Sequence, residues 1–287
     1  MNKLKYFSGL ILLQFVVIPS LFSQVDAQLE ARIQQEISQM SLKEKVGQTC
    51  QITLDALLKT DASGKVLEPA QLDEVKLKEA LVDFQIGSIL NVSSHTLQLK
   101  EWQTILGQIH QFYKTKKVKT PILYGADAIH GMNYTVGATL FPQEIGLAAT
   151  WNPALAEQFG KITAYELRAS GIPWNFSPVM DLGRQPLWSR FFETMGEDPY
   201  LSSSLGKRII AGYQGTNLNS PYSTVSCLKH YVGYSFPLTG RDRTPAWIPE
   251  KYMQELFLPP FEATVKAGAL SVMVNSGEVN GIPGHIN

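Results

Sequence analysis

Leu29, Ile33, Ile37 and Met40 recur at helical spacing and predict an amphipathic helix. Ser41-Leu-Lys-Glu44 then reads as a capping box, with Ser41 as the N-cap and Glu44 answering it, and opens a second helix. Residues 46–53 pass into an apolar segment around Cys50, and Asp61-Ala-Ser-Gly-Lys65 marks a turn in which Gly64 takes positive φ. Further apolar runs lie at 86–90, 121–124, 172–176, 225–228 and 270–274. Helix patterns fall between them. Residues 97–113 carry Trp102, Ile105, Ile109 and Phe112 on one face, and residues 153–170 and 249–267 follow the same habit. Strands alternating with helices predict βαβ units and a parallel sheet. Counting the segment near Cys50, about six strand–helix units are present, where a (β/α)8 barrel has eight. The expected fold class is α/β: a (β/α)8 TIM-type barrel, incomplete at its C-terminal end.

The first residues stand outside this alternation. Lys3 and Lys5 precede an apolar run over 7–19, and small residues follow. That pattern is a secretory signal peptide, with cleavage sites after Ser23 or Ala27. The run is short for a membrane span, and no cysteine follows closely to carry a lipid anchor. The organisation expected is a signal peptide over 1–27 and a barrel domain over 28–287, with the mature protein periplasmic or secreted and free of the membrane.

Composition narrows the function. The 287 residues are 44% hydrophobic and 17% charged, with zero formal net charge. That supports a large core and speaks against a nucleic-acid partner, which would call for a basic face. The one basic cluster, Lys114-Thr-Lys-Lys-Val-Lys119, reads as a solvated helix end before a strand. Cys50 and Cys227 lie far apart in apolar segments and read as buried free thiols. No Cys/His cluster has metal-ligand spacing and no glycine-rich phosphate loop appears, so no metal or cofactor is expected.

The polar residues follow the strands. Tyr124 leads to Asp127 and His130, Phe176 to Asp181 and Arg190, Leu228 to Lys229 and His230, and Val274 to Asn275 and Glu278. Each alone is equally a capping or loop residue. Four strand ends behaving alike point to a site of the kind barrel enzymes build at the C-terminal ends of their strands. The densest stretch is 177–200, where Asp181, Arg184, Arg190, Glu193, Glu197 and Asp198 are interleaved with Trp188, Phe191 and Phe192. Trp102, Trp174 and Trp188 are further aromatics, and Trp102 reads as helix packing. Asp127 offers carboxylate oxygens, and Arg190, Lys229 and His230 offer donors. One acceptor among several donors suits adjacent sugar hydroxyls, and it suits a phosphate or carboxylate as well.

These motifs resemble those of the family 3 glycoside hydrolases, the exo-acting β-glucosidases and their relatives. The matching pieces are Met40-Ser-Leu-Lys-Glu-Lys-Val-Gly-Gln48, Tyr124-Gly-Ala-Asp127-Ala-Ile-His130-Gly131, Gly137-Ala-Thr-Leu-Phe-Pro142, Trp188-Ser-Arg190 with Gly196-Glu-Asp-Pro199, Lys229-His230-Tyr-Val-Gly233, and Ser271-Val-Met-Val274 with Asn280-Gly281. They run in the family's order over nearly all of the mature chain. The resemblance implies that Asp127, Arg190, Lys229 and His230 bind the non-reducing-end sugar. Asp181, Glu193 and Asp198 then read as residues that brace the loop itself.

It also implies retaining hydrolysis by two carboxyl groups, a nucleophile and an acid/base. In the family the nucleophilic Asp lies in a Ser-Asp-Trp-type motif on the strand after the one at 270–274, and the acid/base comes from later sequence, often a second domain. Neither is identifiable up to Asn287, and Asp242 and Glu278 do not match the nucleophile's position. The chain is therefore expected to be a fragment of a longer enzyme, inactive alone, with a C-terminal domain to follow. Ser276 stands where many members carry Tyr. The loop 233–243 lacks the His of N-acetylglucosamine-specific members. The expected function is an exo-acting retaining β-glucosidase. The alternatives are a β-xylosidase or β-N-acetylglucosaminidase, or a non-catalytic carbohydrate-binding protein.

One geometric expectation follows from strand physics alone. Adjacent residues on a regular strand point to opposite faces. Lys229 and His230 serve one ligand only if the backbone is irregular there.

Overall fold

The structure is a computed structural model, which describes residues 27–115 and 120–286. The signal-peptide run and the end of the basic cluster lie outside the described residues. The described residues fall into two units, one ending at Ser41 and one beginning at Leu42. In the first, helix α1 (Ala27–Gln39) is amphipathic as its spacing predicts, and none of its residues is buried.

The second unit holds the alternation. Helix α2 (Leu42–Gln48) begins directly after Ser41 and leads into β1 (Gln51–Thr53). A short helix α3 (Glu74–Lys78) with a π turn over Glu79–Asp83 precedes β2 (Ser88–Leu90). Helix α4 (Leu99–Thr115) precedes β3 (Leu123–Ala126). Helices α5 (Glu144–Ala148) and α6 (Pro153–Ala169) precede β4 (Trp174–Asn175). Helix α7 (Pro199–Gln214) precedes β5 (Val225–Tyr231). Helix α8 (Glu250–Tyr252), a π turn (Met253–Phe257) and α9 (Leu258–Lys266) precede β6 (Ser271–Val274). A hairpin of β7 (Glu278–Val279) and β8 (Ile282–Pro283) follows.

The six strands β1 to β6 form one sheet in chain order, and every neighbouring pair is parallel. Sequential parallel strands with helical crossovers are the winding of a TIM-type barrel. Among the described residues six units are present, as the apolar runs predict.

Local chemistry sets the helix starts. Asn152 caps α6 by accepting from the amides of Ala154 and Leu155, and Asp198 caps α7 by accepting from Tyr200 and Leu201. A proline fills the first turn of each, where its missing N–H costs nothing. Helices α6 and α7 meet at Gly160 and Gly212. A Cβ on Gly212 would lie 2.3 Å from the Glu157 carbonyl oxygen, so the approach depends on glycine. Ile89, Trp102, Tyr124 and Ile172 belong to one core cluster, and Phe159, Met180, Ile209, Tyr213, Leu228 and Phe261 to another.

Several expectations change. Cys50 is exposed, because it follows the end of α2 and not a strand interior, and its Sγ lies 3.3 Å from the Val46 carbonyl. Cys227, inside β5, is buried. The run at 172–176 yields only two strand residues. Ile172 is buried as the chain leaves α6, and the strand starts after Pro173. The helix over 249–267 is interrupted by its π turn, which apolar periodicity does not signal. Trp102 is core, with its indole N–H on the Tyr134 carbonyl at 3.1 Å.

Phe176 lies over Gly125, and a Cβ at Gly125 would come 2.3 Å from the ring's Cζ. Gly125→Ala is therefore expected to overpack this point and cost about 1–3 kcal/mol, read as a lower urea midpoint at unchanged m-value.

Candidate functional site

The C-terminal ends of the strands carry the polar residues. Asp127 follows β3, and its Oδ1 takes the Lys229 ammonium at 2.5 Å. Its Oδ2 takes the Asn91 side-chain amide at 2.6 Å. Asn91, just after β2, also accepts the Asp127 backbone N–H at 2.8 Å. The Tyr124 hydroxyl donates to the Asn91 carbonyl at 2.7 Å. Asn91 holds φ at 44°, a region Asn tolerates better than most side chains. Burial works against a charged Asp127. The Lys229 charge and hydrogen bond, the Asn91 hydrogen bond and the Arg190 charge outweigh it and hold the carboxyl below the ordinary range.

Arg190 sits in the loop after β4. Its Nε and one terminal nitrogen clasp Glu193 at 2.7 and 2.6 Å, leaving the other to reach the Tyr234 hydroxyl at 3.4 Å. The guanidinium carbon also lies 5.5 Å from the Tyr234 ring centroid. Tyr234 donates to Asp242 at 2.7 Å, and Trp188 donates to the same oxygen at 2.9 Å.

Lys229 and His230 lie in the irregular backbone that strand geometry calls for. The pairing of β5 with β6 shifts register between Leu228 and Tyr231. The peptide bonds Lys229–His230 and Tyr231–Val232 are cis. His230 Nδ1 is 2.7 Å from Asp181 Oδ2, and its ring meets Tyr234 edge-on at 4.6 Å. Asn275, after β6, is buried and ties the next turn by donating to the Val232 carbonyl and accepting from Gly277.

Asp127, Lys229 and Arg190 thus form one electrostatic cluster, and His230 joins it through Tyr234. The three acidic residues read as loop braces divide. Glu193 clasps Arg190 within the loop, Asp198 caps α7, and Asp181 holds His230 on the next strand. Trp188 is 2% exposed, so it is a packing residue and no wall for a ligand. Trp174 is tied by its indole N–H to Ser271. His130 is occupied by the Phe141 carbonyl at 3.2 Å.

Residues 41–287 match the family profile "Glycosyl hydrolase family 3 N terminal domain". The chain belongs to glycosyl hydrolase family 3. It is 42% identical over 265 residues to the lysosomal beta glucosidase of Dictyostelium discoideum, covering 87% of this chain and 31% of that protein. It is 35% identical over 180 residues to a beta-xylosidase of Formosa agariphila, covering 60% of this chain and 25% of that protein. Among solved structures, a mutant beta-glucosidase of Listeria innocua in complex with laminaribiose superposes with a TM-score of 0.73 at 31% identity, over 90% of this chain and 34% of that one. The chain thus spans about a third or less of the length of these family 3 proteins.

Three site neighbours are not singled out by the sequence reading. Asn91 follows the run at 86–90 just as Asp127 follows its own strand, so the strand-end rule was sufficient to find it. Tyr234 carries no local signal, because its partners are 44 residues away in Arg190 and eight away in Asp242. Glu144 looks like an ordinary first-turn carboxylate of α5. It is in fact 1% exposed beneath the site, accepting from the Val179 amide and the Ser177 hydroxyl, each at 3.2 Å. Ser177 also bonds Tyr213 at 2.9 Å. Burial drives the Glu144 carboxyl up to about 8, against the pull of the Val179 amide and the Lys229 charge.

That shift has a definite sign. The folded state keeps the Glu144 proton where the unfolded chain has lost it, so its contribution to stability is full below about 4.5 and is lost as pH rises toward about 8. Chemical denaturation of the parent and of Glu144→Gln across pH 4 to about 9 is expected to show the parent losing stability relative to the variant over that window. A constant difference across the window would contradict the buried, protonated state.

Proposed function

We propose that this chain supplies the subsite for the non-reducing-end sugar of an exported, exo-acting, retaining β-glucosidase. The observation that carries the reading is the Asp127 carboxylate, held at the strand ends with one oxygen on Lys229 and the other on Asn91, under the charge of Arg190. An ionised carboxylate only accepts, and an ammonium only donates. A pair of neighbouring hydroxyls does both, and so fits across the two. Glu193 takes two of the five Arg190 N–H groups and the Tyr234 hydroxyl a third, which orients the guanidinium and leaves two N–H groups for a ligand. The family relationship supports the assignment of Asp127, Arg190, Lys229 and His230 as the sugar-binding set.

In this reading hydrolysis proceeds with retention, through two carboxyl groups roughly 5–5.5 Å apart. Neither role is given to Asp242 or Glu278. Asp242 accepts from Trp188 and Tyr234, and these hydrogen bonds together with the Arg190 and Arg243 charges outweigh burial and hold its carboxyl below the ordinary range. Glu278 sits in the β7–β8 hairpin. The nucleophile and acid/base belong to sequence beyond these residues, and this part binds and orients the sugar. Export is read from the N-terminal run. Among the described residues no helix is long and apolar enough to cross a membrane.

The beta-xylosidase relative, at 35% identity, favours a second reading in which the sugar is xylose. A panel of aryl β-glycosides on the full-length protein decides between them. Glucoside turnover well above xyloside is expected, and the reverse order would move the assignment to xylosidase. In the same protein, Asp127→Asn is expected to lower kcat/KM by about 100-fold, the worth of a hydrogen bond to a charged group. The 287-residue chain alone is expected to give no enzymatic turnover of an aryl β-glucoside; turnover there would place both carboxylates within it.

A further inference from the structure

We infer that Asp181 is a positioning residue that fixes the tautomer of His230, so that neutral His230 meets the sugar as a hydrogen-bond acceptor through Nε2. The inference rests on the reading of His230 as a sugar-facing residue and deepens it.

The geometry is specific. Asp181 and His230 are 2% and 7% exposed. Asp181 Oδ2 accepts the His230 backbone N–H at 3.1 Å and faces the ring Nδ1 at 2.7 Å. One carboxylate oxygen therefore holds both the backbone and the ring of the same residue, which fixes the ring's position as well as its protonation. A proton lies somewhere on the short Nδ1···Oδ2 contact. Oδ2 already accepts the His230 backbone N–H, which marks it as the acceptor of the Nδ1 contact as well and places the proton on nitrogen. The other oxygen, Oδ1, is buried without a partner among the described residues, so a carboxyl proton there would have no acceptor. With Nδ1 carrying the hydrogen, the neutral ring presents a lone pair at Nε2.

The surroundings agree. The Tyr234 ring packs edge-on against the imidazole, but its hydroxyl donates to Asp242 and receives Arg190, so it does not compete for Nε2. Among the described residues Nε2 has no hydrogen-bond partner. The ionisable groups around the pair are Asp181 itself, Tyr234, Arg190 beyond the tyrosine, and Lys229 next in the chain, which is turned to Asp127. The site then carries two acceptors, Asp127 and His230 Nε2, beside two donors, Lys229 and Arg190. This changes the sequence-based expectation of His230 as a donor. The hydroxyl that meets His230 must itself donate.

The tautomer is directly measurable on the 287-residue chain with 15N-labelled histidine, by long-range proton–nitrogen correlation of the imidazole, using His230→Gln to identify the signals. Above the pH at which the ring is neutral, the protonated nitrogen is expected to be Nδ1. In Asp181→Ala, which removes the oxygen that accepts both the backbone N–H and the ring, the proton is expected to move to Nε2. An Nε2–H tautomer in the parent overturns the inference, as does an unchanged tautomer in Asp181→Ala. Should that variant fail to fold, the parent spectrum decides alone. D-glucose titrated into the same sample is expected to shift the His230 signals, and Asp181→Ala is expected to bind glucose about tenfold more weakly, the loss of one hydrogen bond. Glucose that leaves the His230 signals unmoved overturns the sugar-facing reading and with it the acceptor role. The tautomer spectra separate that failure from an error about Asp181.

Discussion

The Lys229 ammonium is buried, and its charge is matched by Asp127 at 2.5 Å, in a pair that ties the end of β3 to the irregular end of β5. A buried charge without a partner is costly, and breaking such a pair by removing one member typically costs about 3–5 kcal/mol. Much of the site depends on meeting this constraint. Asn91 holds Asp127 by both backbone and side chain, so the carboxylate cannot swing away from Lys229. The pair is not closed to ligands, because the Asp127 side chain keeps 31% of its surface open. A charge pair secured from below and open above gives a rigid acceptor beside a rigid donor. That suits recognition better than it suits stability.

The same logic runs through the layer beneath. The segment 177–181 is built into the sheet by hydrogen bonds with the β5 backbone, where Met180 N–H donates to the Lys229 carbonyl and Lys229 N–H donates to that of Pro178. Glu144 supports this segment from beneath through Val179 and Ser177. Asp181 at its end reaches His230. The two adjacent residues of β5 are thus held by different strands, Lys229 from β3 and His230 from the extension of β4. The two side chains leave a stretch where the pairing of β5 with β6 shifts register, between Leu228 and Tyr231.

Much of this was legible in the sequence, for physical reasons that differ by residue. The six strands show as apolar runs because parallel strands are covered on both faces. The strand-end positions of Asp127, Lys229 and Asn275 show because a barrel places its polar chemistry there. The irregularity at Lys229–His230 follows from the two-residue period of a strand. What the sequence concealed depends on long-range pairing. Tyr234 becomes part of the site only through Arg190 and Asp242. Glu144 resembles a surface carboxylate until α5 is seen packed beneath the strand ends. Trp188 looks like a ligand platform until Asp242 accounts for its indole N–H. Cys50 misleads in the opposite direction, since an apolar neighbourhood in sequence left it exposed at a helix end.

The central claim is that Asp127 and Lys229 recognise the sugar as a unit. A double-mutant cycle with Asp127→Asn and Lys229→Met, read as D-glucose affinity by calorimetry on variants verified as folded, tests it most directly. Each single change is expected to weaken binding, and the double change to cost less than their sum, with a coupling of about 0.5–3 kcal/mol. Glucose bound with the parent's affinity by all three variants would contradict the account.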